Sequence, residues 1–222
     1  MIVAIDGPSG VGKSTVGKKL AERLGLAYVD TGAMYRAVGL AAKRQGIRLP
    51  IDDPGRVVAI AERSNVSVTG SAASARTFLD GEDVSKEIRT PEISMYASAV
   101  SAIPGVRRRL VGMQRELARA TGGVLEGRDI GTKVVPDTPH KFFLTARPEV
   151  RAQRRFLELT ARGAAQPFER VLADIEARDR ADSTREESPL SHDESYAIVD
   201  TSDLNVEEVV EALLETVHRR AG

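Results

Sequence analysis

Eight residues near the N-terminus carry the densest chemistry in the chain: Gly7-Pro8-Ser9-Gly10-Val11-Gly12-Lys13-Ser14. They fit G-x-x-x-x-G-K-[ST]. Glycines let the backbone turn its N–H groups toward one centre, and a helix starting near Ser14 adds the positive end of its dipole. Lys13 supplies a point charge for β- and γ-phosphates, and Ser14 offers a hydroxyl to Mg²⁺. The pattern alone is weak, but here it follows an apolar strand and opens a periodic helix, which is its confirming context. It reads as a phosphate cradle for a nucleoside triphosphate. A GTPase would also need an N-K-x-D base-reading motif, and the sequence has none. Asp52-Asp53-Pro54-Gly55 matches D-x-x-G only by chance, in what reads as a Pro-containing loop. Phosphoryl transfer to a small acceptor needs instead a second anion site and several arginines, because the reaction is mainly positioning and charge stabilisation.

Three further clusters could form that second site. Asp30-Thr31-Gly32-Ala33-Met34-Tyr35-Arg36 follows a short strand. Arg36 could pin an acceptor phosphate, yet on local chemistry alone an N-capped helix with a surface Arg is the better reading. Glu126-Gly127-Arg128-Asp129-Ile130-Gly131-Thr132 ends another strand, where ligands bind in open α/β sheets; a turn with a surface salt bridge fits equally well. Arg178, Asp182 and Arg185 stand at i, i+4 and i+7. In a helix all three share one face, suited to phosphate, sugar hydroxyl and base edges, although a salt-bridged helix surface is commoner. Arg151, Arg154 and Arg155 follow a strand and could close over a triphosphate as a lid.

The elements that must position these residues alternate. Short apolar strands are expected at Ile2–Ile5, Leu26–Val29, Gly123–Glu126, Lys141–Leu144 and Ala197–Val199, with helices from Ser14 to about Leu24, Ala33 to about Gln45, and Pro91 to about Ala120, the last broken at Pro104-Gly105. This alternation argues for a parallel sheet with helices on both faces. About 65–89 differs: Val66–Val68 and Thr77–Leu79 are strand-like pieces around a small-residue turn at Gly70–Ala75, with Asp80-Gly81 as a further turn. It reads as a small β-rich insertion.

Composition narrows the field. The 222 residues are 41% apolar and 29% charged, which excludes a mainly disordered chain. Lys+Arg 32 balances Asp+Glu 32, and aromatics are 4%, so nucleic-acid coating is not expected. Cys is absent, excluding thiol nucleophiles, disulfides and cysteine-held zinc. The three His show no metal-ligand spacing. Neither a signal peptide nor an apolar run of about 18 residues is visible, so a cytoplasmic protein without a membrane partner is expected.

Taken together, I-D-G-P-S-G-x-G-K-S at 5–14, D-T-G-A-M-Y-R at 30–36, D-G-E-D-V-S-x-E-I-R at 80–89, G-R-D-I-G-T at 127–132 and R-D-x-x-D-x-x-R at 178–185 occur in one order and spacing. In these five motifs the chain resembles the bacterial cytidylate kinases, which act on CMP and dCMP, over nearly its whole length.

The resemblance implies a P-loop nucleoside monophosphate (NMP) kinase-like, three-layer α/β fold with a five-stranded parallel sheet. It implies one unit over 1–222, with an NMP-binding insert at about 65–89 and a short lid at about 151–166. It implies ATP on Gly7, Pro8, Ser9, Gly10, Val11, Gly12, Lys13, Ser14 and Thr15, with Mg²⁺ on the Ser14 hydroxyl. Arg36 and Arg128 look like contacts to the CMP phosphate. Thr31, Tyr35, Ser98, Arg107, Asp129 and Arg185 belong to the acceptor site, some at the cytosine edge, and Arg178 and Asp182 lie on its sugar side. Lys13, Arg128 and the lid arginines Arg154 and Arg155 would serve the transferring phosphoryl group. Another small-molecule P-loop kinase, such as a UMP/CMP kinase, is the nearest alternative.

Overall fold

The computed structural model describes residues 1–69 and 74–221. Five strands, β1 (Ile2–Asp6), β2 (Tyr28–Asp30), β6 (Gly123–Gly127), β7 (His140–Thr145) and β8 (Ala197–Asp200), form one sheet in the order β2-β6-β1-β7-β8. All of its pairings are parallel. Its central strands are short continuous apolar runs because both faces are covered. On one face Val3, Ile5, Val124, Phe142 and Leu144 pack under α1 (Lys13–Leu24) and α8 (Val206–Ala221). On the other, Ala4, Val29 and Leu125 meet α5 (Pro104–Thr121) and a π-helical turn at Ile130–Val134. This is the expected three-layer fold.

A second apolar cluster lies on the β2 side of the molecule. There α2 (Thr31–Arg44), α3 (Pro54–Arg63) and α4 (Pro91–Ser101) pack with the first half of α5. The expected β-rich insertion is the antiparallel sheet β3 (Val66–Thr69), β4 (Arg76–Leu79) and β5 (Glu82–Asp83). Most of the turn expected at Gly70–Ala75 lies outside the described residues. Helices α6 (Pro148–Ala161) and α7 (Phe168–Thr184) form a hairpin whose own core is Ala152, Leu159, Val171 and Ile175, with Phe156 and Phe168 edge to face. Among the described residues no helix is long and apolar enough to cross a membrane.

Several boundaries differ from the sequence reading for local reasons. Strand β2 starts at Tyr28, not Leu26, because Leu26 completes the α1 cap: Gly25 is left-handed and the Leu26 N–H reaches the Ala21 carbonyl at 2.8 Å. Asp52-Asp53-Pro54-Gly55 is not a loop. Asp53 caps α3 by accepting from the Arg56 N–H at 2.9 Å, and Pro54 opens the helix. Arg185 is not on the α7 face. The helix ends at Thr184, and Arg185 has extended backbone.

The sheet register lines up the strand ends that matter. Asp30 stands beside Glu126, Ile5 beside Glu126, and Asp6 beside Gly127. Asp6, the last residue of β1, fixes the next layer. Its fully buried carboxylate accepts from the Ile130 and Gly131 N–H groups at 2.8 and 2.9 Å and from the Tyr196 hydroxyl at 2.8 Å. The segment after Arg128-Asp129 is thereby tied to the root of the P-loop. Burial lifts the Asp6 pKa from 3.8 to about 6, against the pull of these donors. Between about pH 4 and 6 the unfolded chain loses a proton that the folded chain keeps, so this group's contribution to stability falls as pH rises through that window. Relative to Asp6→Asn, the unfolding free energy of the native chain should drop by about 2 kcal/mol from pH 4 to 7. Urea melts of both proteins across that range measure it, and a pH-independent difference would contradict it.

Candidate active site

The P-loop leaves β1 at Gly7. Its φ is +150°, and a Cβ there would run into the Leu144 carbonyl, so only glycine lets the loop pass this close to β7. Gly12, φ +97°, is the left-handed residue that starts α1, and no side chain caps this helix end. The first-turn N–H groups therefore face the loop's concavity, as an anion cradle requires. Lys13 is 7% exposed and donates to the Gly7 and Pro8 carbonyls, both at 2.7 Å. Burial first, then the neighbouring Arg128 guanidinium, pushes its ammonium well below the usual lysine range.

The loop is held from behind. Arg151, buried, donates from Nη1 to the Ser9 carbonyl at 3.2 Å and from Nε to the Ala146 carbonyl at 3.0 Å, and pairs with Asp179 at 2.6 Å. Arg154 reaches the Val11 carbonyl at 3.4 Å, the Thr201 hydroxyl at 3.0 Å and the Thr201 carbonyl at 2.6 Å. The three arginines expected to act as a lid thus have different partners in this structure. Arg151 and Arg154 brace the P-loop, while Arg155 pairs with Glu158 at 2.8 Å, one turn on. Their spacing in sequence was visible, but their partners, more than 40 residues away in chain for Thr201 and more than 140 for Val11 and Ser9, were not.

Buried carboxylates at the strand ends hold the other cations. Asp30 caps α2 by accepting from the Ala33 N–H at 3.0 Å, and also meets Arg36 at 3.5 Å and Arg89 at 2.9 Å. Burial pushes its pKa up, but Arg36, Arg89 and the cap bring it below the ordinary value. Thr31 donates to the Glu126 carbonyl at 2.7 Å, pinning α2 to β6. Glu126 accepts from the Tyr28 hydroxyl and lies within hydrogen-bond reach of Ser14. Burial and then the Asp30 charge raise its pKa. Thr15 follows on α1, exposed.

Arg107 and Asp129 form a buried pair at 2.5 Å. Arg107 also donates to the Ser101 carbonyl at 3.2 Å and lies 5.3 Å from the Tyr35 ring centroid. Ser98, half-buried on α4, is bonded through its carbonyl to the Ser101 hydroxyl, so it sits beside this pair. Asp182 takes Arg128 on one oxygen at 2.8 Å and Arg185 on the other at 3.1 Å. Arg185 reaches it from outside the helix, steadied by the Ser188 carbonyl at 2.6 Å. Arg178 has a buried Nε without a partner. Burial, then Arg128, with Arg36 and Arg155 adding, pushes its guanidinium down to about 10.

The structure thus gathers Lys13, Arg36, Arg128, Arg178 and Arg155 into one mutually repelling group above the P-loop, with Arg107–Asp129 and Arg185–Asp182 beside it. Cations gathered and partly desolvated in this way suit the binding of polyanions. The sequence reading assigned no role to Arg89, Glu126, Asp6 or Thr201. Arg89 and Glu126 stood inside quoted motifs, whereas nothing in the sequence marked Thr201.

Comparison with known proteins agrees with this geometry. The family model described as cytidylate kinase matches residues 3–219. The chain is 51% identical to a cytidylate kinase of Caldanaerobacter subterraneus subsp. tengcongensis over 217 residues, 98% of this chain and 94% of that one. It is 51% identical to one of Mycobacterium leprae over 223 residues, 100% of this chain and 97% of that one. A solved structure of an uncharacterized protein from Eubacterium ventriosum, 15% identical, covers 99% of this chain and 98% of its own with a TM-score of 0.56, and shares the fold. A match that runs from β1 into α8, with relatives half identical over the same span, gives the cation cluster its family: this chain belongs to the cytidylate kinases.

Proposed function

We propose that the protein transfers the γ-phosphoryl group of ATP to CMP and dCMP, giving CDP or dCDP and ADP. The observation that carries this reading is the cation group above the P-loop, where Lys13 and Arg178 are both pushed below their ordinary pKa by burial and by Arg128. Two nucleotides arriving with four phosphates would relieve that repulsion. A phosphate oxygen of CMP attacks the γ-phosphorus in line, the bond to the β,γ-bridging oxygen breaks, and that oxygen leaves on ADP. The attacking oxygen is already anionic at neutral pH, so the site needs no general base. Lys13, Arg128 and Arg178 neutralise charge in transit, and Arg36 holds the acceptor phosphate.

Arg107 orients Asp129 by taking one carboxylate oxygen, and a cytosine N4 donor suits the acceptor capacity that remains. Uracil would present a carbonyl there, leaving buried polar groups unpaired at about 1–3 kcal/mol each. Asp182, whose two oxygens each hold one guanidinium, keeps lone pairs for a hydroxyl common to ribose and deoxyribose. Thr31 and Tyr35 shape the wall between the phosphate and base ends. Arg155 is the lid cation in this reading, and the α6–α7 connection is the lid.

Mg²⁺ fits the donor set. Among the described residues no group of three or more His, Cys, Asp or Glu could cage a metal, as expected for an ion bound largely by phosphates and water. Ser14 and the Glu126 carboxylate would hold it, and a cation there would offset the repulsion between Glu126 and Asp30. A Mg²⁺ ion held there would supply positive charge to offset that of the phosphates during transfer. Nucleotide substrates and the lack of a membrane-spanning helix among the described residues suit a cytoplasmic enzyme.

Two measurements test the reading. In a coupled ADP-release assay, CMP and dCMP should turn over at comparable rates, and UMP and AMP at least about tenfold more slowly in kcat/KM, since each 1.4 kcal/mol of lost pairing is a decade. Equal turnover of all four would make the protein a general NMP kinase. Lys13→Met, which keeps the side chain's length, should lower kcat by about 10²–10³ with melting unchanged. Turnover near that of the native chain would remove Lys13 from the chemistry.

A further inference from the structure

The buried face of α5 is apolar except at two positions, and both bear on the base end of the acceptor site. Val106, Arg107, Leu110, Val111, Gln114 and Ala118 are the residues of this helix that lie inside. Arg107 and Gln114 stand two turns apart on one face. The terminal nitrogens of Arg107 are accounted for: they reach the Ser101 carbonyl at 3.2 Å and Asp129 at 2.5 Å. Gln114 is not accounted for. It is 1% exposed, and its amide Nε2 is enclosed without a hydrogen-bond partner. The Tyr35 hydroxyl on α2 and the Arg107 Nε are enclosed in the same way. These groups are neighbours. The Arg107 guanidinium lies 5.3 Å from the Tyr35 ring centroid, and the Gln114 amide is within hydrogen-bond reach of the Tyr35 hydroxyl. The terminal torsion of a glutamine is soft, so a modest rotation brings an N–H onto that hydroxyl.

The helix is docked on both sides of position 114 without this amide. Leu110 and Met113 pack into the cluster shared with α2 and α3, and Val111, Leu117 and Ala118 pack toward the sheet. Arg115 donates from Nε and Nη2 to the Lys133 carbonyl at 3.0 and 2.5 Å. The contacts of Gln114 lead instead toward the base end. The Tyr35 ring gives the Arg107 guanidinium a flat surface to lie on, an attraction that holds a cation near a ring face. Arg107 in turn takes one oxygen of Asp129, so the direction of the carboxylate's remaining lone pairs follows from how Arg107 lies. We propose that Gln114 is a positioning residue for base recognition: its amide holds the Tyr35 hydroxyl, the Tyr35 ring backs Arg107, and Arg107 aims Asp129 at the acceptor's base. Specificity is then set partly from within α5, by a side chain that does not touch the nucleotide.

This inference deepens the CMP reading and rests on it, and the test separates the two claims. Steady-state kcat and KM for CMP and UMP, KM for ATP and melting temperature are measured for the native chain, Gln114→Met, Tyr35→Phe and the double variant. The native chain should favour CMP over UMP by at least about tenfold in kcat/KM; no preference would overturn the CMP reading and this one with it. Met nearly matches the volume of Gln, so Gln114→Met should melt normally and leave the ATP KM unchanged. It should raise KM for CMP more than it lowers kcat, and reduce the CMP-to-UMP ratio at least about threefold, the size of one lost hydrogen bond. Tyr35→Phe should do the same. The double variant should lose no more than either single one, because both remove one bond. A native preference that Gln114→Met leaves intact would make Gln114 a packing residue and overturn this proposal alone, as would losses that multiply in the double variant. Should Gln114→Met not fold, Tyr35→Phe still decides: an unchanged ratio there breaks the chain of contacts.

Discussion

The site is organised around like charges that must be kept together in a dry place. Lys13, Arg36, Arg107, Arg128, Arg178 and Arg185 converge at the carboxyl ends of the parallel strands, and four carboxylates, Asp30, Glu126, Asp129 and Asp182, lie among them. Two like charges roughly 6 Å apart repel by about 3 kcal/mol at an effective dielectric near 20. The cluster tolerates this because its carboxylates are shared. Asp182 serves Arg128 and Arg185, and Asp30 serves Arg36, Arg89 and a helix cap. Arg178 is left with a buried Nε that finds no partner, and burial and Arg128 push its guanidinium down to about 10.

The sheet makes this geometry with few degrees of freedom. The parallel register puts Asp30 beside Glu126 and Asp6 beside Gly127, so α2, the P-loop and the Arg128–Asp129 segment leave the sheet from one row. Asp6 then joins two of these exits through backbone N–H groups rather than side chains. Backbone donors cannot swing away, so the distance between donor and acceptor halves is set by strand spacing. In-line transfer needs that distance held closely, since misplacement by about 1 Å can cost 10²-fold in rate.

Much of this was legible in residue order. The P-loop between an apolar strand and a periodic helix is a local signal, and the structure forms it as read. So are the five strands, whose runs are short and mostly apolar, and the insertion, where turn residues interrupt the alternation. What could not be read is what depends on partners distant in chain. The pair Arg107–Asp129 spans 22 residues and Arg128–Asp182 spans 54, and neither spacing carries a period. Arg185 was misplaced because i, i+7 spacing presumes an unbroken helix, and the break after Thr184 has no Gly or Pro to announce it. Asp53-Pro54-Gly55 misled in the other direction: Pro and Gly suggest a loop, but Pro at the first helical position behind an Asp cap begins a helix.

The brace behind the P-loop has a mechanical consequence for the other side of the site. Arg151 bonds the Ser9 carbonyl and Asp179 together, so the base of α6, the P-loop and the middle of α7 are one linked unit. Asp179 is the neighbour of Arg178 and lies one turn before Asp182. The α6–α7 hairpin also has its own small core, which binds its two helices to each other. Any displacement of the hairpin therefore carries Arg178 and Asp182 with it and pulls on Arg128 through their shared carboxylate. Through Arg151, Asp179 and α7, the P-loop backbone is thus mechanically continuous with the acceptor-side carboxylate Asp182.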